Sequence, residues 1–266
     1  MLIILYEGKN LQFKTFGQTG SNLHDREFPL RYIVWTRGDW GSLISRSLTK
    51  TEAQTTMNRP SLIREKKMPR KKVPSSDLIV PCFCFEKPGP QNTRRTLEIV
   101  AARAQELGIR SIVVASSSGK TGVLAASLFP GKNLVVVTHS TGFLKPDFQE
   151  LKPALRRKIE TIGGKILTCQ HAFGGVNRAV RKKLATYELD EIIASTLRTF
   201  GEGAKVAIEI SLMAADAGLI STREPCISIG GSGSGADSAL LLQPANAQTF
   251  FDLRIFEVLA KPRSFD

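Results

Sequence analysis

From about residue 77 onward the chain alternates short apolar runs with longer segments in which apolar residues recur every three or four positions. LIVPCFCF (78–85) reads as a strand, and PGPQNT supplies a turn in which Asn92 or Thr93 caps a helix reaching about Leu107. In that helix Leu97, Val100, Ala101, Ala104 and Leu107 fall on one face, and Gly108 ends it. SIVVAS (111–116), a short helix over about 119–128 and LVVVT (134–138) continue the alternation. Next come a helical stretch at 149–162, closed by Gly163 and Gly164, a strand KILTC (165–169), and helices near 177–185 and 189–200. Gly201 and Gly203 bracket a turn into an expected strand KVAIEI (205–210), followed by a helix in SLMAADAGLI (211–220). CISIG (226–230), SALLLQ (238–243) and RIFEVLA (254–260) are the last strands, the final one alternating in the manner of a sheet edge. The series predicts an α/β fold over residues 77–266, a three-layer α/β/α sandwich with a mostly parallel sheet.

Residues 1–72 have a different texture. They hold both tryptophans, Trp35 and Trp40, yet polar runs such as TKTEAQTTMNRPS interrupt every apolar patch, which predicts a basic, largely unstructured extension. Glu7, Asp25, Glu27 and Asp39 argue against a transit peptide. The change of texture at Met68 also raises a translation start there.

The charge is unevenly distributed. Of the formal net charge of +13, residues 1–72 carry +8, much of it in Arg64, Lys66, Lys67, Arg70, Lys71 and Lys72. No aromatic residues interleave with that run, so it reads as a solvated arm and not as a specific nucleic-acid surface. At 42% apolar residues the chain can build a real core. No segment has the length of a membrane span. Cys82, Cys84, Cys169 and Cys226 lie in or beside apolar segments without a secretory signature, which predicts buried thiols, no disulfides and a cytoplasmic location. A homo-oligomer is compatible with all of this.

The candidate chemistry begins at VVASSSGKTG (113–122). Ser116, Ser117, Ser118 and Thr121 offer hydroxyl groups, Gly119 permits close backbone approach, Lys120 adds charge, and a following helix would aim its positive end at an anion. A triphosphate loop, G-x-x-x-x-G-K-[ST], would need glycine at Val114, so a nucleoside triphosphatase is rejected. The plain alternative is a serine-rich turn with Ser117 or Ser118 as N-cap.

Ligands in such sheets bind beyond the carboxyl ends of the strands. Three further segments are expected to join the first there. They are Thr138, His139, Ser140, Thr141, Gly142 and Phe143; Glu209, Ile210, Met213 and Ala214 in 209–216; and Gly230, Gly231, Ser232, Gly233, Gly235, Ala236 and Asp237. The last of these superficially fits a dinucleotide fingerprint, but a strand and not a helix follows it. Its glycines suit a tight loop against a ligand or another backbone, and Asp237 suits a capping role.

Among titratable groups His139, at a strand end, is the one weak candidate for proton transfer. His171 reads as a surface imidazole, and neither its spacing from Cys169 nor that of Cys82 and Cys84 matches a zinc site. Glu209, at the end of an apolar run, needs a partner if buried: a ligand hydroxyl, an Arg or a backbone N–H. No Ser, His and Asp arrangement recommends a hydrolase.

IVVASSSGKTGVLAASLFPGKNLVVVT resembles the phosphate-binding region of the pyruvate kinase C-terminal domain, where a serine and threonine loop holds a sugar-bisphosphate effector in some members. The stand-alone proteins named for that domain are closer still, through EKPGPQNTRRTLEIVAARAQELGI, VVVTHSTGF, VAIEISLMAADAGLI and GGSGSGADSALLLQPANAQTFFDLRI. The likeness spans about residues 83–262 and leaves 1–72 without counterpart. It implies flavin mononucleotide (FMN) as a ligand, its phosphate on Ser116 to Thr121 and its ribityl chain and ring against the other three segments. It does not imply pyruvate kinase activity, because the β/α barrel with its Mg²⁺ and K⁺ sites is missing. Two functions are therefore expected: an FMN-binding protein, with redox chemistry supplied by the flavin, or a noncatalytic sensor of a phosphorylated metabolite.

Overall fold

The computed structural model describes residues 78–264 together with the backbone of four strands nearer the N-terminus. The chain divides into two units, Met1–Ser76 and Asp77–Asp266. In the first, β1 (Leu2–Glu7) pairs antiparallel with β2 (Asn10–Thr15), and β3 (Tyr32–Thr36) with β4 (Ile44–Leu48). The basic run at 64–72 of the N-terminal extension lies outside the described residues.

The second unit is built on a seven-stranded sheet. In chain order its strands are β5 (Phe83–Phe85), β6 (Ser111–Ala115), β7 (Asn133–Thr138), β8 (Lys165–Thr168), β9 (Cys226–Gly230), β10 (Ser238–Gln243) and β11 (Arg254–Pro262). Across the sheet the order is β5-β11-β10-β9-β6-β7-β8. β10 pairs antiparallel with both neighbours and all other pairings are parallel, so β10 alone runs against the rest. β11 is not the edge strand its alternation suggested: β5 covers its last three residues, Ala260–Pro262. β5 takes the edge instead, and Cys82 and Cys84 are therefore exposed, whereas Cys226 in the central β9 is buried.

Six α-helices are described: α1 (Thr93–Glu106), α2 (Lys120–Leu128), α3 (Pro153–Thr161), α4 (Gly175–Leu184), α5 (Leu189–Leu197) and α6 (Glu202–Asp216). They cover the two faces of the sheet. Leu97 and Val100 of α1, Ala125 of α2 and Ile159 of α3 pack with Ile112, Val114, Val136, Ile227 and Ile229. On the other face α6 and Ala194 of α5 pack with Val113, Val135, Val137, Leu240 and Leu242. Successive strand residues thus enter opposite cores, and both faces are apolar because both are covered. Arg103 of α1 grips Glu257 of β11 through two hydrogen bonds of 2.9 and 2.6 Å, tying a helix to the outer part of the sheet.

The expected strand KVAIEI does not form. Residues 205–210 continue without a break into the next segment as α6, whose residues are buried from Gly203 to Ala215 with the exception of Val206. A mainly apolar run buried on most sides shows neither the period of a strand nor that of a surface helix, so length has to arbitrate, and the fifteen-residue span fits a helix. α6 lies unusually close to the sheet. The residues of β9 on its side are Cys226, Ser228 and Gly230, all small, and Ser228 Oγ donates 2.6 Å to the carbonyl of Ala207. A Cβ on Gly230 would sit 2.1 Å from the Gly203 carbonyl oxygen and 2.9 Å from the Ala207 nitrogen, both backbone atoms that cannot swing aside.

Gly230→Ala should therefore push α6 off the sheet and cost about 1–3 kcal/mol or more, by the usual penalty of overpacking. Urea unfolding of the purified variant reads this directly; an unchanged midpoint would count against the close approach.

Candidate functional site

Strand register assembles the site. Ala115 at the end of β6 pairs with Val137 of β7, and the Ser116 amide donates 2.9 Å to the Val137 carbonyl. Ser117 and His139 each lie two residues beyond that pair, so they emerge side by side. Val137 and Thr138 pair with Leu167 and Thr168 of β8, which brings His171 next to His139. Val114 pairs with Ile229 of β9, which brings the loop from Gly231 beside the Ser116 loop. The gap between β6 and β9 is also where the chain's connections turn in opposite directions, a place where α/β sheets open a crevice.

A cavity of about 730 Å³ lies there, bordered by Ser116, Ser117, Ser118, Lys120, Thr121, His139, Gly231, Gly233 and Gly235 from the expected segments. It is also bordered by Pro90, Thr93, Leu124, Glu150, Glu202, Val206 and Ser234, which sequence reasoning did not select. Thr93 carries a signal in hindsight, being at the start of a helix beside a strand-end loop. Glu150 carries none, since it lies in an irregular stretch before α3.

The Ser116 loop leads from β6 into α2. Its helix is capped from a distance, by the buried Ser116 Oγ accepting from the Gly122 amide at 3.0 Å, and not by Ser117 or Ser118 as the plain turn reading had it. Gly119 holds φ +93°, and a Cβ there would meet Leu151 Cδ1 at 2.6 Å and Leu155 Cβ at 2.9 Å. Among the described residues, the amides of Ser117, Ser118, Gly119, Lys120 and Thr121 donate to no protein acceptor. Five unspent N–H groups therefore lie at the positive end of α2, beside Lys120.

The opposite wall is rigid. Buried Asp237 accepts from the amides of Gly89 and Ser232, each at 3.1 Å, and from Ser238 Oγ at 2.9 Å. Thr93 Oγ1 accepts from the Ala236 amide, and Thr96 Oγ1 donates to the Ala236 carbonyl. Asp237 and Ala236 are thus fasteners of the loop and do not border the cavity, nor do Ser232 and Gly230. Gly231 approaches the Gly235 carbonyl so closely that a Cβ would lie 2.2 Å from it, a contact with backbone and not with a ligand.

Glu209, Ile210, Met213 and Ala214 are not a strand-end loop but the middle of α6. Ala214 is in the core, away from any cavity. The other three border a smaller cavity of about 130 Å³ together with Thr138, His139, Phe143, His171, Arg178 and Lys205. Glu209 has partners from the protein itself: Lys205 Nζ one turn back at 2.6 Å, and the Phe173 amide at 2.9 Å. Ser140, Gly142 and Phe143 border a third cavity of about 220 Å³ with Arg178 and Lys182, whereas Thr141 borders none of the three.

Between these cavities a ladder of flat groups stands. The His139 and Phe143 rings stack at 4.0 Å, Phe143 and His171 at 5.0 Å, and the Arg178 guanidinium lies 4.6 Å from the Phe143 centroid. His171 is no surface imidazole. It is half-buried with Nε2 lacking a partner, and burial, opposed by Glu209 and assisted by His139, Arg178 and Lys205, pulls its pKa from 6.5 to about 4.

The sequence reading found no triad, yet the fold makes one with glutamate in the acid's place. His139 Nδ1 lies 2.6 Å from Glu150 Oε2, and its Nε2 lies 3.2 Å from Ser117 Oγ. Gln149 pins the acid in place, donating from Nε2 to the His139 carbonyl at 3.0 Å and accepting at Oε1 from the Leu151 amide at 2.9 Å. No group of three or more metal-ligating side chains occurs among the described residues, and no helix among them is long and apolar enough to cross a membrane.

Residues 94–240, more than half of the chain, match the profile of the pyruvate kinase alpha/beta domain. A solved pyruvate kinase from Cryptosporidium parvum aligns at 12% identity over 57% of this chain and 23% of its own, with a TM-score of 0.31. A Cryptosporidium parvum pyruvate kinase in complex with ADP aligns at 14% identity over 58% and 24%, with a TM-score of 0.29. The chain thus spans about a quarter of the length of these enzymes.

Two outcomes follow from the buried charges. Glu209→Ala strands Lys205 and the Phe173 amide without a partner and should cost about 3–5 kcal/mol in denaturant unfolding. For His171, the unfolded chain takes up a proton below pH 6.5 that the folded chain refuses until about pH 4. Stability should be fully present above pH 6.5 and fall between 6.5 and 4, and His171→Phe should flatten that limb of the thermal-midpoint profile.

Proposed function

We propose, for a chain that belongs to the pyruvate kinase alpha/beta domain family, that the cleft beyond β6 and β9 binds a phosphorylated small molecule, with FMN as the ligand. The observation that carries this reading is the run of five amides at the start of α2 with no protein acceptor among the described residues. A phosphate monoester dianion would take these donors, the hydroxyls of Ser118 and Thr121, and the charge of Lys120.

The cavity's size and lining suit the rest of such a ligand. About 730 Å³ lies within the range of small-molecule sites, roughly 300–1,000 Å³. Pro90, Leu124 and Val206 offer apolar surface for a ring, while Thr93, Glu202 and Ser234 can meet the hydroxyls of a ribityl chain. Glu202 is itself held by Arg198. When bound, the flavin supplies one- and two-electron redox chemistry, and the protein supplies position and electrostatics.

A second reading, a noncatalytic sensor of a sugar bisphosphate, is favoured by Arg178 and Lys182 at the neighbouring cavity. They provide cationic groups for another anion that FMN, with one phosphate, would leave unused.

Titration of FMN fluorescence with the full chain tests the first reading. Saturable quenching is expected, and the double variant Ser118→Ala with Thr121→Ala should weaken binding by at least about tenfold, since each hydrogen bond to a charged group contributes roughly 1.5–3 kcal/mol. No quenching, combined with saturable binding of a sugar bisphosphate, would transfer the cleft to the second reading. Unchanged affinity in the double variant would remove the loop assignment.

A further inference from the structure

We propose that Ser117, His139 and Glu150 form a charge relay that makes Ser117 a nucleophile, and that this chain cleaves carboxylic esters through an acyl-Ser117 intermediate. The proposal shares the amides of the phosphate reading but does not require FMN.

With Glu150 ionised and the His139 ring neutral, elementary chemistry assigns the hydrogen-bond roles. An ionised Glu150 can only accept, so at 2.6 Å the proton on this edge belongs to His139 Nδ1. The neutral ring then presents Nε2 as an acceptor, and Ser117 Oγ at 3.2 Å is the donor that meets it. Nucleophile, base and orienting acid thus stand in the order that general-base activation requires. The ring itself has little freedom: Phe143 stacks on it at 4.0 Å, and Gln149 fastens the stretch bearing Glu150 to the His139 carbonyl. The Lys152 amide reaches the Ser118 carbonyl at 3.4 Å, joining the acid's segment to the nucleophile's loop.

The remaining requirement is a place for developing negative charge. The same loop provides it, because the amides following Ser117 have no protein acceptor among the described residues and lie at the positive end of α2. All three side chains border the 730 Å³ cavity, so an ester can reach them. Pro90, Leu124 and Val206 give an apolar bed for its acyl or alcohol part.

In the reaction, Ser117 Oγ attacks the ester carbonyl carbon while its proton passes to His139 Nε2. The carbonyl electron pair moves to oxygen and returns as the C–O bond to the alcohol breaks, and the imidazolium gives its proton to the departing alkoxide. Water then attacks the acyl-serine, losing a proton to Nε2. Collapse releases the carboxylic acid, and the same proton restores the Ser117 hydroxyl. Ser117 and His139 are the catalytic residues; Glu150 is a positioning residue, acting through His139.

The test treats the full chain with a fluorophosphonate, which loses fluoride to an activated serine, and maps the adduct by peptide mass spectrometry. Stoichiometric labelling at Ser117 is expected, together with turnover of p-nitrophenyl acetate. Ser117→Ala should abolish both, and Glu150→Gln should slow labelling by about 10³-fold or more through loss of the reactive tautomer. Glu150→Asp should recover part of that loss, which a merely structural role would not produce. Circular dichroism shows whether each variant is folded. No adduct, an adduct at another residue, or a Glu150→Gln protein that labels at the native rate would overturn the proposal. Absent labelling with FMN still bound removes the relay and leaves the phosphate reading; labelling at Ser117 without FMN binding does the reverse.

Discussion

The approach of α6 to the sheet is the constraint on which the rest of the α/β unit depends. A helix normally rides on side chains some 8–10 Å from what it packs against. Here Gly203 lies against Gly230 with no room for a Cβ on the strand, and Ser228 hydrogen-bonds directly to the helix backbone. That closeness fixes the height of α6 over the central strands and hence the reach of Glu202, Lys205, Val206 and Glu209 toward the strand ends. It also explains why a charged pair can lie inside the layer. Lys205 and Glu209 bond each other along the helix, and the remaining carboxylate oxygen takes the Phe173 amide, so the segment carrying His171 is held by the same pair.

From that fixed layer the cleft follows by register. β9, β6, β7 and β8 run parallel and end level, so the loops after them line up in space although they are far apart in sequence. The loop after β6 leaves five amides unspent, and the loop after β7 delivers an imidazole beside it. Unpaired donors at a helix terminus are costly when buried and are tolerated where a ligand or water meets them. The capping of α2 by Ser116 is what leaves Ser117 and Ser118 available, a division of labour among three adjacent serines with different duties.

The reversed β10 shapes the other wall. Because β10 returns antiparallel to β9, the loop from Gly231 to Asp237 must turn tightly above the strand ends and does not lead into a helix. Asp237 and Thr93 then bind it to the turn before α1. A loop rich in glycine is thereby rigid, through bonds made by two residues that do not belong to its glycine pattern.

Much of this was legible in the sequence. Alternating apolar runs and helical periods determined the α/β class, the strands β6, β7, β9 and β10, and the Ser116 loop, because those signals are local and depend on a few residues at fixed spacing. KVAIEI reads as a strand because a mainly apolar run buried on most sides carries no clear period, and β11 reads as an edge because alternation does not reveal whether a short strand such as β5 will cover its end. The same limit applies to chemistry. Their places just beyond predicted strands point to Ser117 and His139, but Glu150 reaches His139 only because the chain between β7 and α3 folds back over the strand ends. Lys205 becomes the partner of Glu209 only once residues 205–210 are helical. The sequence determined which groups are present and which segments carry them; the tertiary structure decided which of them meet, because hydrogen bonds act over about 3 Å while residues such as Arg103 and Glu257 are separated by 154 positions along the chain.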